Sequence, residues 1–251
     1  MSEGDAPAGG GAARFDFGGR VVLVTGGTSG IGRGIADAFL GSGAHVIITG
    51  TRAREEYEDD FGGLEHRPFR LEDPQSAADL AASIPRLDVL VNNAGTMHRD
   101  PSELEPAGFE ATIAANLEGT FRVLHAFAAH LAVTGGSVIS IASVTSYFGS
   151  PRVPAYSASK GAIVQLTRSL AIAWADKGVR VNAIAPGWIE SNLTAGHIAD
   201  PVRSRQILDR TPMGRWGLPS DVAGPALFLA SDAARFVTGA VLNVDGGYTV
   251  V

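Results

Sequence analysis

Tyr156 and Lys160 stand four residues apart in Pro154-Ala155-Tyr156-Ser157-Ala158-Ser159-Lys160. On a helix this spacing puts both side chains on one face, where they can act on one point. A free phenol holds its proton about 4 kcal/mol too tightly to exchange it near neutrality. One ammonium about 4 Å away, at an effective dielectric of about 20, supplies roughly that amount. The spacing alone is common, and a partly exposed Tyr beside a surface Lys would read the same way. Ser143 lies thirteen residues earlier and adds a hydroxyl that can donate to a substrate oxygen.

A second constellation is Thr25-Gly26-Gly27-Thr28-Ser29-Gly30-Ile31-Gly32. Between a strand and a helix, Gly26 permits a tight turn, Gly30 lets the backbone approach a pyrophosphate, and Gly32 lets helix and strand pack closely. The helix N-terminus then offers free N–H groups to the anion. Asn92-Asn93-Ala94-Gly95 forms a third cluster. Beyond the next strand, Ile48-Thr49-Gly50-Thr51-Arg52-Ala53-Arg54 carries no acid that would hold a free ribose 2′-hydroxyl. Arg52 and Arg54 instead favour a 2′-phosphate, hence NADP over NAD, although either also reads as a solvated loop residue.

These groups must be brought to one place. Short β-branched runs at Arg20–Thr25, Ala44–Thr49, Leu64–Arg70, Leu87–Asn92, Gly136–Ala142, Val179–Ala185 and Ala240–Val244 alternate with helical periodicity. The helical stretches are Gly30–Ser42, Pro74–Ser83, Ala107–Ala132, Pro154–Lys177 and Pro219–Ala230. Such alternation predicts an α/β fold: one Rossmann-type, doubly wound domain over residues 15–251, its seven parallel strands covered by helices on both faces. In an open parallel sheet the strand C-terminal ends share one edge, so the glycine loop, Asn92–Gly95 and Ser143 all face one crevice. Trp188–Gly217 is long, polar and broken by Gly196, Pro201, Pro212 and Gly214, with room for one short helix; such segments often form lids, and a plain surface excursion is the other reading.

The 251 residues carry 20 basic and 26 acidic side chains, net −6, without a basic block. A nucleic-acid partner is therefore not expected. Cysteine is absent, which excludes disulfides and thiolate metal sites. The six histidines lack the i, i+4 helical pair that chelates zinc, so no metal is expected. Met1–Arg14 is rich in Gly and Ala and reads as a disordered tail. No apolar run approaches the roughly 20 residues that cross a bilayer, so a cytoplasmic protein without a membrane partner is the default.

Taken together, T-G-x-x-x-G-x-G, N-N-A-G, Ser143 and Y-x-x-x-K occur in the order of the short-chain dehydrogenase/reductase family. The chain resembles that family from about Phe17 to Tyr248. The resemblance implies hydride transfer between NADP or NAD and a secondary alcohol or ketone. Tyr156 is implied as general acid/base, Ser143 as the group orienting the reacting oxygen, and Lys160 as the group holding the nicotinamide ribose and lowering the Tyr156 pKa. Asn116, in Ala115-Asn116-Leu117, matches the family's helix Asn that holds a water in the proton relay. Cofactor contacts are implied at Gly26, Thr28, Ser29, Gly30, Ile31 and Gly32 in the loop. Towards the adenosine they fall at Thr51, Arg52 and Leu71, and beside the nicotinamide at Asn92, Ala94, Gly95, Tyr156 and Lys160. Pro186, Gly187, Ile189 and Ser191 resemble the segment that meets the nicotinamide amide. Where many relatives place an Asp-Val pair beside the adenine, this chain has Arg70-Leu71, with Asp73 as the substitute if the register slips. The C-terminal Val244-Asp245-Gly246-Gly247 implies packing against a neighbouring subunit in a homotetramer.

Within the family, Ser150–Tyr156 and Ile207–Asp221 resemble the branch acting on sugar acids, the 2-dehydro-3-deoxy-D-gluconate and gluconate 5-dehydrogenases. Substrate contacts are then expected at Ser143, Thr145, His98, Arg152 and Trp188, with Arg99 as a further cation; each charge is also readable as a solvated rim residue. Two other functions fit the same core. One is a 3-oxoacyl-[acyl-carrier-protein] reductase-like activity, and the other is a non-catalytic dinucleotide-binding protein.

Overall fold

A computed structural model of the protein describes residues 14–98 and 101–251. The expected tail at Met1–Arg14 falls, except for Arg14, outside the described residues, as does Arg99. The strands are β1 (Val21–Val24), β2 (His45–Gly50), β3 (Glu65–Pro68), β4 (Val89–Asn92), β5 (Ser137–Ile141), β6 (Arg180–Pro186) and β7 (Val241–Val244). The helices are α1 (Gly30–Gly41), α2 (Ser76–Ser83), α3 (Pro106–Ile113), α4 (Thr120–Thr134), α5 (Pro154–Ala173), α6 (Ala195–Ile198), α7 (Pro201–Asp209) and α8 (Pro219–Ala230). The sheet order is β3-β2-β1-β4-β5-β6-β7 with every neighbouring pair parallel, the expected seven-stranded arrangement.

The strands alternate their faces, and each face is covered. Val22 and Val24 of β1 pack with Ile35 and Phe39 of α1 and Leu229 of α8. Leu23, between them, packs on the other side with Leu80 of α2 and Val123, Phe127 and Leu131 of α4. One residue of offset thus sends neighbouring side chains into opposite helix layers. β4 and β5 are buried at every position, as a doubly covered sheet requires. Chain order reverses between β1 and β4, since β1 feeds β2 on one side while β4 lies on the other. The crevice for a ligand lies at the carboxyl ends of these two strands.

Several boundaries differ from expectation. The helix expected over Ala107–Ala132 begins at Pro106 and carries a π-helical turn at Ala114–Gly119 between α3 and α4. Pattern periodicity does not reveal such a turn, because the extra residue rotates one side chain without ending the helix. The side chain concerned is Asn116, buried inside the turn. α5 stops at Ala173, and a separate 3₁₀ turn follows at Ala175–Lys177. Residues 188–217 hold two helices rather than one, because Asp200 caps α7 by accepting from the N–H groups of Val202 (3.0 Å) and Arg203 (3.2 Å). Among the described residues no helix is long and apolar enough to cross a membrane.

Candidate active site

The crevice holds two adjoining cavities. The first, of about 700 Å³, runs from the glycine loop past the end of β2 to Leu71. Gly26 has φ +66°, a conformation that side chains resist, and a Cβ there would sit 3.0 Å from the Ala94 Cα. A Cβ at Gly32 would overlap the Gly26 carbonyl oxygen and Asn93 Nδ2, so this glycine allows helix and loop to touch. No side chain caps α1: Ser29 stands at its N-cap in an extended conformation without a capping hydrogen bond. The loop is held from behind, because Asn93 Nδ2 donates to the carbonyls of Thr25 (3.1 Å) and Gly26 (3.0 Å). Thr25 Oγ1 in turn accepts from the backbone N–H groups of Asn93 (3.0 Å) and Ala94 (3.1 Å). An uncapped helix end above a glycine cradle is an anion site, and its donors and its length fit the diphosphate of a dinucleotide.

Gly26, Thr28, Ser29, Gly30 and Ile31 line this cavity, and so do Thr51, Leu71, Ala94, Gly95 and Ser191. Other expected contacts lie elsewhere. Gly32 sits behind the loop as a packing residue. Asn92 closes β4 with its side chain buried and Nδ2 without a partner, and the lining residue is its neighbour Asn93. Arg52 is exposed and stacks on Tyr57, its guanidinium carbon 4.3 Å from the ring centroid, while Tyr57 itself lines the cavity. Beyond β3 the lining carboxylate is Glu72, paired with Arg70 at 3.3 Å, and not Asp73, which turns to the Gln75 N–H.

The second cavity, of about 410 Å³, shares Ile31, Met97, Ser191 and Leu193 with the first, so the two are continuous. Tyr156, Ser143, Thr145, Arg152 and Trp188 line it. Pro186, Gly187 and Ile189 line it too, on this side rather than along the first cavity. His98 faces the first cavity instead, since its N–H is tied to Glu103 Oε1 at 3.0 Å.

Ser143 Oγ accepts from Thr145 N (3.1 Å) and Thr145 Oγ1 (3.0 Å), which leaves its own proton to point at the Tyr156 phenol. Lys160 lies wholly inside, lines neither cavity, and donates to the Ile141 carbonyl at 2.6 Å. Its Nζ is 5.6 Å from the Tyr156 ring centroid. Gly95 closes the group: a Cβ there would sit 3.2 Å from Asn116 Oδ1 and 3.8 Å from Lys160 Nζ. Asn116 accepts from the Thr96 N–H at 2.7 Å and donates to the Thr96 carbonyl at 2.8 Å and to Ser159 Oγ at 3.2 Å.

The electrostatics correct one expectation. Burial pushes the Tyr156 hydroxyl above the usual phenol range; the Ser143 hydrogen bond pulls it back, and the Glu103 carboxylate pushes it up again. Within the protein alone Lys160 is not among the groups that shift the phenol, and burial brings its own ammonium down to about 8.

Sequence reasoning placed Asn93 at the crevice only within Asn92–Gly95, and it missed three residues. Glu103 is buried at 1% exposure and joins the two cavities: Oε1 accepts from His98 N and Oε2 from Tyr156 N, both at 3.0 Å. An acid in a polar loop gives no signal of this in sequence. Arg203 and Arg210 line the second cavity from α7 and just beyond it; only the lid expectation pointed towards that segment.

Residues 26–249 match the family model described as enoyl-(acyl carrier protein) reductase. The chain is 41% identical over 248 residues to a 2-dehydro-3-deoxy-D-gluconate 5-dehydrogenase of Pseudoalteromonas atlantica, covering 94% of this chain and 98% of that protein. It is 39% identical over 247 residues to a galactitol 2-dehydrogenase (L-tagatose-forming) of Cereibacter sphaeroides, covering 94% and 97%. Its fold is similar to the crystal structure of a gluconate 5-dehydrogenase from Burkholderia cenocepacia in complex with NADP and tartrate. That similarity has a TM-score of 0.87 at 35% identity and covers 95% of this chain and 98% of that one.

Proposed function

The chain belongs to the short-chain dehydrogenase/reductase family, and from that premise we propose that it interconverts a secondary alcohol and a ketone on a sugar acid, using NADP in preference to NAD. The observation that carries the reading is the junction: Tyr156 and Ser143 line a cavity that opens directly into the glycine cradle. The curated relatives named for sugar-acid oxidation and the NADP held by the similar crystal structure support the substrate class and the cofactor. The absence of an acid at the end of β2, with Arg52 beside it, supports the 2′-phosphate.

When bound, the nicotinamide supplies or accepts the hydride. The protein's own groups handle the proton. With substrate bound, Ser143 turns its proton from the Tyr156 phenol to the substrate oxygen, while its lone pairs stay with the two donors of Thr145. Tyr156 gives that oxygen a proton in reduction and removes one in oxidation. Lys160, with a pKa of about 8, is charged at neutral pH and favours the phenolate electrostatically. Asn116 is a positioning residue that clamps Thr96 and Ser159 between the cavity wall and α5. Residues 188–217 act as the lid, tied at their base by the bridge between Ile189 and Gly217. The reading includes a homotetramer, supported by exposed apolar side chains at Phe236 and Leu242 beside the edge strand β7.

Tyr156→Phe is expected to bind NADPH like the parent protein and to lose about 10²- to 10⁴-fold in turnover of a keto-sugar acid, followed at the nicotinamide absorbance. A variant that keeps its turnover would remove the phenol from the reaction. The family model's description names a reductase of acyl-carrier-protein-bound substrates, which supports the carrier class, though not the reacting bond, of a second reading, reduction of the ketone of a 3-oxoacyl thioester. Faster turnover of an acetoacetyl thioester than of any keto-sugar acid would establish it.

A further inference from the structure

The second cavity, in a chain of net charge −6, is cationic among the described residues: Arg152, Arg203 and Arg210 line it and no described Asp or Glu does. Among the described residues none of these three arginines has a carboxylate partner, whereas Arg20, Arg86, Arg205 and Arg215 are all ion-paired. The nearest acid in sequence to Arg210 is Asp209, which Arg205 takes at 2.7 Å.

Arg210 is the one held in place. Its guanidinium carbon lies 4.4 Å from the Tyr248 ring centroid and 4.9 Å from that of Phe148, and the two rings are 5.9 Å apart. These ring contacts take no N–H group as a hydrogen-bond donor, and among the described residues no acceptor takes one from the Arg210 side chain. Those N–H groups form the fork that matches a carboxylate in bidentate geometry, and the aromatic contacts fix the fork before the anion arrives. The family relatives do not decide between acid and neutral substrates, since one is named for a sugar acid and another, nearly as similar, for a polyol.

We propose that Arg210 is the carboxylate anchor of the substrate cavity. The site would then take an aliphatic hydroxy or oxo acid, with its carboxylate on Arg210 and its reacting carbon at Tyr156. This rests on the oxidoreductase reading of the same cavity. Arg152 and Arg203 add positive potential without the aromatic clamp, so their individual shares are smaller.

The test is calorimetric titration of the protein, saturated with NADPH so that the alcohols cannot turn over, with D-gluconate and with its neutral counterpart D-glucitol. In the parent protein gluconate is expected to bind at least tenfold more tightly than glucitol. Arg210→Gln should lose at least tenfold in gluconate affinity while leaving glucitol and NADPH affinities and the melting temperature unchanged. Phe148→Leu, which keeps the charge and removes half the clamp, should weaken gluconate selectively and by less. Equal binding of acid and polyol by the parent, absence of gluconate binding, or an Arg210→Gln variant that binds gluconate like the parent would each overturn the assignment. Failure of the oxidoreductase reading looks different: gluconate binding sensitive to Arg210 with no hydride transfer to or from any alcohol or ketone.

Discussion

The two cavities are built on opposite plans. The first is built around the glycine loop at the sheet edge, which Asn93 and Thr25 hold to the end of β4. The second is walled by residues drawn from 141–156, 186–197, 203–210 and Tyr248, with Ile31 and Met97 at its junction with the first, and among the described residues its arginines lack acidic partners. A backbone cradle recognises what every dinucleotide shares and tolerates little change. A wall of side chains, part of it on the lid segment at Trp188, His197, Arg203 and Arg210, can be altered without touching the cradle. Division of labour between a rigid cofactor side and an adaptable substrate side follows from the construction.

The largest effect that would sharpen this contrast is expected at Gly32. Any Cβ there overlaps the Gly26 carbonyl oxygen and Asn93 Nδ2, so relief requires the loop to leave its support. Gly32→Val should weaken NADPH binding by on the order of a hundredfold, about 2.7 kcal/mol, in a fluorescence titration. Thr145→Ala, on the other wall, should leave NADPH affinity unchanged and raise the KM of the substrate. Parity of the two variants in NADPH affinity would erase the distinction between the cavities.

Lys160 sits between the two and serves neither as a lining residue. Its pKa, depressed by burial to about 8, lies below that of an unfolded lysine, about 10.4. The unfolded chain therefore binds the extra proton within that window, and stability rises with pH through it. Below pH 8 the full penalty applies, on the order of 3 kcal/mol. Lys160→Met removes it but orphans the Ile141 carbonyl, which costs about 1 kcal/mol. Denaturation at pH 7 should find the variant more stable by about 2 kcal/mol and inactive, with the advantage fading as pH rises towards 10. A variant less stable at pH 7 would mean that Lys160 supports the fold and not only the chemistry.

The same division explains what was legible in the sequence. Most strands were readable because they are short β-branched runs ending in a turn, β3 with Glu-His-Arg-Pro being the exception, and the glycine loop because its residue types are dictated by backbone geometry at fixed spacing. Tyr156, Ser143 and Lys160 were readable as a set because strand and helix order brings them to one edge. Asn93 was not distinguishable from Asn92, since the two differ only in which face of β4 they leave. Arg210 was invisible because its partners, Phe148 and Tyr248, stand 62 and 38 residues away in sequence and are joined only by the fold. The π-turn at Asn116 was hidden because periodicity measures an average over many residues, and one inserted residue barely moves it.

Glu103 offers the smallest and most specific probe, because its carboxylate bonds a group of each cavity: one oxygen holds the backbone N–H of His98 of the first and the other holds the backbone N–H of Tyr156 in the second. Its charge also opposes ionisation of the phenol. Glu103→Gln keeps the shape and one acceptor while removing the anion. The Tyr156 pKa should then fall, so the acidic limb of the pH profile for alcohol oxidation, which needs the phenolate, should move to lower pH. Loss of packing alone would lower activity at every pH and leave the limb in place. A displaced limb would make Glu103 a positioning residue that couples the two cavities through charge; an unmoved limb would leave it as a helix cap, and the cavities would be joined by geometry only.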